Sequence, residues 1–299
     1  MAQTAPQLQV PGGTLLMGSN DFYPEEQPVH EVAVGDLLVD RHQVTNAEFR
    51  RFVKETGHVT VAERPPEGSE FEGADPADLV PGSLVFTPTA GPVPLDAWQR
   101  WWRWQPGAQW RRPEGPDSTL HGRERHPVVH VGWEDAAAYA AWAGKRLPTE
   151  PEWEWAARGG LAGATYPWGE EFTPRGRVMA NTWHGPFPWR NDLPHRNGLT
   201  EPVESFPPNG YGLFDVAGNV WEWTASPWRT SHQPSAPAAA TSSCCAPSRG
   251  QEESTRMTMK GGSHLCAPSY CHRYRPAARQ GQPLRSTTGH VGFRCVRDA

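Results

Sequence analysis

No stretch of the 299-residue chain approaches the ~18 consecutive apolar residues from which a membrane-spanning helix is read. Met1 to Val10 lack a basic segment followed by an apolar core, so no secretory leader is read. The expected location is the cytoplasm, with no membrane partner. An excess of basic residues is also missing: 28 Lys and Arg stand against 33 Asp and Glu, for a formal net charge of −5. A general nucleic-acid binder would usually be basic, so nucleic acid is not an expected partner. Internal repeats are absent, which argues against a solenoid. Cysteine is scarce, at five residues, and no Cys-x-x-Cys occurs. An odd count without a leader does not suggest a disulfide framework, and the missing motif leaves no support for a zinc ribbon or a thioredoxin-like site.

Glycine and proline are abundant, at 30 and 32 residues. Such enrichment can signal disorder, but the chain also carries 15 Trp, 10 Phe and 6 Tyr. Disordered chains lack such residues, and aromatic side chains bury large areas. The composition therefore predicts a globular domain made largely of ordered loops pinned by aromatic anchors.

Residues 8–40 read as short strands and turns, with Pro11-Gly12-Gly13 as a turn and Val32 and Val34 in period-two alternation. Thr45-Asn-Ala-Glu48 forms a capping box, followed by Phe49, Phe52 and Val53 at helical spacing up to Gly57. A second helix is predicted over 133–145. A third follows the capping box Thr149-Glu-Pro-Glu152 and ends at Gly159-Gly160. Residues 62–126 read as irregular. They hold Trp98, Trp101, Trp102 and Trp104, then Trp110. These indoles either staple a loop to the domain or line a groove for a peptide, since exposed Trp is enriched at binding sites. Residues 229–256 are rich in Ser, Ala, Thr and Pro and read as a mobile excursion. Lys260-Gly-Gly-Ser263 and Val291 to Val296 read as the starts of strands.

Cys266-Ala-Pro-Ser-Tyr-Cys271 is the notable cysteine pair. Four intervening residues let both sulfurs meet one metal ion or each other. Two buried small hydrophobes are the alternative, because free cysteine is often that.

In chain order the sequence carries Pro11-Gly-Gly-Thr14, Met17-Gly18, Val44-Thr45-Asn46, His126-Pro-Val-Val129 and Gly144-Lys-Arg-Leu-Pro-Thr-Glu150. Glu152-Trp-Glu154, Ala156-Ala-Arg-Gly159, Asn209-Gly-Tyr-Gly-Leu213, Gly218-Asn-Val-Trp-Glu-Trp223, Lys260-Gly-Gly-Ser263 and Gly292-Phe-Arg-Cys295 follow. This set resembles the formylglycine-generating enzyme family, the sulfatase-modifying factors, over nearly the whole chain. The resemblance implies one loop-rich α+β domain over residues 1–299, related to C-type lectins. Ser263, Cys266 and Cys271 match the family's catalytic segment.

By that resemblance Cys266 and Cys271 bind Cu(I), a pairing that suits soft thiolates. His264, His272, Arg273 and Arg275 are placed to favour the thiolate forms. The implied reaction oxidises a client cysteine to Cα-formylglycine with O2, with Ser263 orienting the oxygen species or the client sulfur and Trp221 lining the O2 side. The implied client is an unfolded or nascent sulfatase carrying Cys-x-Pro-x-Arg, bound by a monomeric enzyme in an aromatic groove.

The family's structural Ca²⁺ maps onto Asp215, Gly218, Val220 and Glu222, a hard-oxygen set. A second calcium site begins at Asn181 and Thr182, with His195 and Asn197 at the later ligand positions and Asp192 as a substitute. Cys295 falls where secreted relatives have a disulfide, but its partner position holds Ala157, so a free buried thiol is expected.

Three rival readings stand beside this one. A non-catalytic peptide- or glycan-binding module of the same fold has no need of Ser263, Cys266 and Cys271 together. An iron-dependent sulfoxide synthase carries an extra helical domain, and here the shared fold starts near Pro11. Structural zinc at the cysteines with His264 or His272 is chemically allowed. Finally, Cys245-Ala-Pro-Ser-Arg249 has the form of the client signature itself. It is either a chance of loop composition or a tethered pseudo-substrate, with Cys244 beside it.

Overall fold

The computed structural model describes residues 4–66, 79–193, 199–232 and 256–299. Cys244, Cys245 and the Cys245–Arg249 segment lie outside them, as do His195 and Asn197. Strand β1 (Gln7–Val10) pairs antiparallel with β4 (Leu37–Asp40). β11 (Val296–Asp298) pairs with the other edge of β4, so one three-stranded sheet ties both ends of the chain together. β2 (Gly13–Met17) and β3 (His30–Val34) form a separate antiparallel pair, Leu15 opposite Val32.

Helix α1 (Asn46–Thr56) starts on the capping box: the Thr45 hydroxyl accepts from the Glu48 N–H, and the Glu48 carboxylate accepts from the Thr45 N–H at 2.8 Å. Gly57 ends it in the left-handed region, φ 70°, where a Cβ would be strained. Helix α2 (Trp133–Trp142) is shorter than the predicted span, because Gly144 turns left-handed at φ 67°. Helix α3 (Glu150–Arg158) has the second capping box and the Gly159 stop as expected.

Residues 62–126 differ from the irregular segment expected. β5 (Gly82–Phe86) and β6 (Trp102–Pro106) pair antiparallel, with Leu84 opposite Trp104 and Phe86 opposite Trp102. The alternation Trp102-Arg103-Trp104-Gln105 is the period of a strand with one covered face.

The central sheet runs β10-β7-β8-β9, built from β7 (Trp221–Pro227), β8 (Arg256–Lys260), β9 (Arg279–Pro283) and β10 (Val291–Gly292). Lys260 therefore ends a strand, where the sequence had suggested that one starts. Gly261 (φ 91°) and Gly262 (φ 69°) break β8 immediately after it.

The main core packs Phe49, Phe52, Tyr139, Trp110, Trp221, Trp223 and Phe293 beneath α1 and α2. A smaller aromatic cluster holds Trp101, Trp183, Phe187, Leu265 and Ala267. Cys266 belongs to the first and its two neighbours to the second, so the cysteine loop is clamped between them. No helix among the described residues is long and apolar enough to cross a membrane.

Candidate active site

The site is built by the turn that ends β8. A Cβ on Gly261 would lie 3.0 Å from the Trp153 ring, and one on Gly262 would lie 2.7 Å from the Arg273 carbonyl oxygen. Only glycine lets the backbone pass there. Two successive turns follow: the Cys266 N–H donates to the Ser263 carbonyl (3.0 Å) and the Cys271 N–H donates to the Ala267 carbonyl (2.8 Å). They fold the segment back on itself and set the two Sγ atoms 3.0 Å apart as free cysteines. The Ser263 N–H donates to Cys266 Sγ at 3.4 Å, and its hydroxyl oxygen accepts from the Leu265 N–H at 3.2 Å. Ser263 and Cys266 are buried and Cys271 is half-buried. All three residues of the expected catalytic segment thus meet in one place.

The two sulfurs are not equivalent. Burial pushes the Cys266 thiol well up, and the neighbouring Cys271 adds to the rise. Cys271 is held below the ordinary thiol range, first by the hydrogen bond from Cys266 and then by Arg273. Of the two, Cys266 is therefore the sulfur more disposed to keep its proton and Cys271 the one more disposed to lose it. Of the four basic residues expected to favour thiolates, Arg273 does so at both sulfurs. Its guanidinium lies 4.1 Å from the Tyr23 ring centre and pairs with Glu25 at 2.5 Å. Arg275 instead makes a buried two-point ion pair with Glu26 (2.6 and 2.9 Å). His272 bonds the Tyr166 hydroxyl at 2.8 Å, with its pKa lowered by burial, and His264 Nδ1 meets the Asn219 carbonyl at 2.7 Å.

The tryptophan-rich segment divides. Trp101 is buried edge-on against Phe187 and Tyr270, the residue before Cys271. Trp102 packs on His290, and Trp98 is 48% exposed. Trp110 does not belong to a groove: it packs in the main core against Phe49. Trp221 is buried on β7, in the same cluster as Cys266.

Among the described residues, no group of three or more His, Cys, Asp or Glu side chains is arranged to hold a metal. Cys266 and Cys271 are thus a two-sulfur set. That fits a soft monovalent ion such as Cu(I) and falls short of the four ligands of structural zinc.

The residues expected to hold calcium are differently engaged. Both Glu222 oxygens accept from Arg294, at 2.7 and 2.8 Å; one also accepts from the Trp153 indole (2.7 Å) and the other from the Gln43 amide (3.0 Å). Four donors saturate that carboxylate. Asp215 accepts from the Glu204 N–H at 2.8 Å, and burial pushes its carboxyl up to about 6. The Val220 carbonyl meets the Gln43 amide at 3.3 Å. At the second position, the Asn181 amide donates to Leu199 and Asn219, and Thr182 meets His184. Asp192, the expected substitute, is paired with Arg190 at 2.8 Å. As arranged, the Glu222 set does not fit a hard dication, which takes six to eight oxygens; at the second position His195 and Asn197 lie outside the described residues.

Gln43, Tyr23, Glu25 and Tyr270 were not singled out from the sequence. Only Tyr270 had a local signal, its place inside the cysteine loop. Cys295 is a buried free thiol, as expected, its pKa raised well up by burial.

A profile described as "Sulfatase-modifying factor enzyme 1-like domain" matches residues 1–299. A Formylglycine-generating enzyme of Mycobacterium tuberculosis is 54% identical over 294 residues, covering 97% of each chain. That of Bos taurus is 42% identical over 292 residues, covering 97% of this chain and 74% of its own length. An "Inactive C-alpha-formylglycine-generating enzyme 2" of Bos taurus is 39% identical over 302 residues, covering 99% of this chain and 89% of its own. In three dimensions the chain is similar to PvdO of Pseudomonas aeruginosa, with a TM-score of 0.63 and 24% identity, covering 100% and 98% of the two chains. Treponema denticola variable protein 1 follows at 0.56 and 18%, covering 98% and 95%. These two likenesses speak for the loop-rich α+β fold alone.

Proposed function

Because the chain belongs to the sulfatase-modifying factor enzyme 1-like family, we propose that it is a formylglycine-generating enzyme that acts on sulfatases. The proposal extends to chemistry: a copper-dependent oxidase converts the cysteine of a Cys-x-Pro-x-Arg segment, in a sulfatase not yet folded, to Cα-formylglycine. Two electrons and two protons leave the client cysteine for O2. Water then replaces sulfur at Cβ and sulfide departs.

The observation that carries this reading is the Cys266–Cys271 pair, 3.0 Å apart and backed by Ser263. A binding module, or an inactive relative, needs no such constellation. Cu(I), held by Cys266 and Cys271, would supply a docking point for the client thiolate and a means of activating O2. The chain's own residues do the rest. The hydrogen bond from Cys266, and then Arg273, hold Cys271 below the ordinary thiol range, which favours the deprotonated form that a soft ion binds. The Ser263 hydroxyl oxygen accepts from the Leu265 N–H, which leaves its own proton to direct at an incoming sulfur or oxygen. Trp221, buried in the same core cluster as Cys266, is assigned to the O2 side of the site. Tyr270 and the partly exposed Trp98 offer apolar surface to an extended peptide.

The test is incubation of the purified protein with Cu(I), O2 and a Cys-x-Pro-x-Arg peptide. Aldehyde formation at that cysteine, absent from a Cys→Ser peptide, is the expected result. An unchanged peptide under these conditions would contradict the proposal.

A further inference from the structure

We propose that the side-chain amide of Gln43 does the work of a cation at the Asp215–Glu222 turn, so that this chain holds the turn without calcium. Three oxygens from different points of the turn converge on Gln43 Nε2: the Asp215 carbonyl at 3.1 Å, the Val220 carbonyl at 3.3 Å and Glu222 Oε1 at 3.0 Å. Gln43 is fully buried, as are Val220 and Glu222. A cluster of buried oxygens needs positive charge or N–H donors, because unpaired acceptors in a dry interior are costly. Here the donor is the amide nitrogen of α1's leading segment.

The amide's orientation is set by its other end. Gln43 Oε1 accepts from the Asn219 amide at 3.2 Å, and Asn219 Oδ1 accepts from the Asn181 amide at 3.1 Å and from the Glu201 N–H at 2.9 Å. The Asn219 N–H in turn donates to the Asn181 carbonyl at 2.8 Å. Turning the Gln43 amide over would set its oxygen against three acceptors and its nitrogen against a donor. Gln43, Asn219 and Asn181 thus form one relay that runs from the first expected calcium position to the second.

Charge points the same way. Glu222 is neutralised by Arg294 through two hydrogen bonds, both partners buried. A dication placed against Glu222 would stand beside that guanidinium and would have to displace both it and the Gln43 amide. At Glu222 and at the Asp215 and Val220 carbonyls the turn is thus held by protein donors, with Arg294 matching the Glu222 charge.

The experiment compares thermal melting of the full chain in a calcium chelator and in added calcium, with elemental analysis of the dialysed protein. The expected result is the same Tm in both buffers and no stoichiometric calcium. Gln43→Glu puts a carboxylate oxygen against the three acceptors. It should lower Tm by several degrees in chelator and regain most of the loss in calcium, a calcium dependence created by the substitution. Gln43→Met removes the donor and should lose Tm equally in both buffers. Should Gln43→Glu fail to fold, the wild-type comparison and Gln43→Met decide. A wild-type protein that retains about one calcium per chain and loses Tm on chelation would overturn the proposal.

Discussion

Tyr270 lies flat on Phe187, ring centres 4.4 Å apart and planes 2° from parallel. This stack joins the cysteine loop to the aromatic cluster of Trp101 and Trp183, while 37% of Tyr270 remains exposed. One residue therefore both anchors the loop that carries Cys271 and faces solvent beside it.

Removing that ring should cost function before it costs the fold. Tyr270→Ala gives up a stacked pair worth about 0.5–1.5 kcal/mol beyond its buried area. The expected result is a fall of about tenfold in kcat/KM for the peptide, with Tyr270→Phe near wild type. Equal steady-state kinetics for all three proteins would detach Tyr270 from the site.

Ser263 makes two kinds of contact, so its loss should have two sizes of effect. In Ser263→Ala the Leu265 N–H loses its acceptor, at a cost of about 1 kcal/mol in stability, read as a small drop in Tm. The backbone N–H to Cys266 stays. Loss of a hydrogen bond to a charged species is worth roughly 1.5–3 kcal/mol, so turnover should fall at least tenfold. An unchanged rate would remove Ser263 from the chemistry.

After the Cys266 hydrogen bond, the charge of Arg273 helps hold Cys271 below the ordinary thiol range, and Glu25 and Tyr23 hold Arg273 in place. Arg273→Met should move the pH midpoint of Cys271 alkylation upward, measured by mass spectrometry against the iodoacetamide rate. Arg273→Lys should fall between Met and wild type. A midpoint unmoved by Arg273→Met would mean that the Cys266 hydrogen bond alone sets the thiolate.

Glu150 contributes to the acid limit of stability. Burial works against its charge, but His232, Lys260 and Arg279 outweigh it and hold the carboxyl down at about 2, against an ordinary 4.5. A folded-state value below the unfolded one contributes stability above the unfolded value and loses it as pH falls through the folded one. Tm should therefore decline from about pH 4.5 toward pH 2, with on the order of 3 kcal/mol at stake. Glu150→Gln strands Arg279, which bonds both Glu150 oxygens at 2.7 and 2.8 Å. It should cost about 3–5 kcal/mol at neutral pH and flatten the decline. A pH–Tm curve for Glu150→Gln parallel to that of wild type would assign the acid limit to other carboxylates.

Local signals were legible in the sequence, and long-range partnerships were not. Thr45 with Glu48 and Thr149 with Glu152 are three residues apart, and the helices they start were read within a residue or so. The cysteine loop and Ser263 were likewise legible, because five residues of spacing bring the sulfurs together through two turns. Glu25 on Arg273 and Gln43 on Glu222 are separated by 248 and 179 residues. Nothing near Gln43 in the chain marks it as the hub of a buried network. The β5–β6 pair had a signal in Trp102-Arg103-Trp104, masked by the surrounding proline and glycine. Arg275 and His272 lie beside the cysteines in sequence, yet Glu26 and Tyr166 draw their side chains elsewhere.

The central claim is that two cysteines act together on a client cysteine, and the most direct measurement is product formation by single-cysteine variants. Cys266→Ala and Cys271→Ala, each supplied with Cu(I) and O2, would be assayed by mass spectrometry for aldehyde at the cysteine of a Cys-x-Pro-x-Arg peptide. Each variant keeps one sulfur, too few for a two-sulfur site, and neither should yield detectable aldehyde while wild type converts the peptide. Near-normal conversion by either variant would contradict the account.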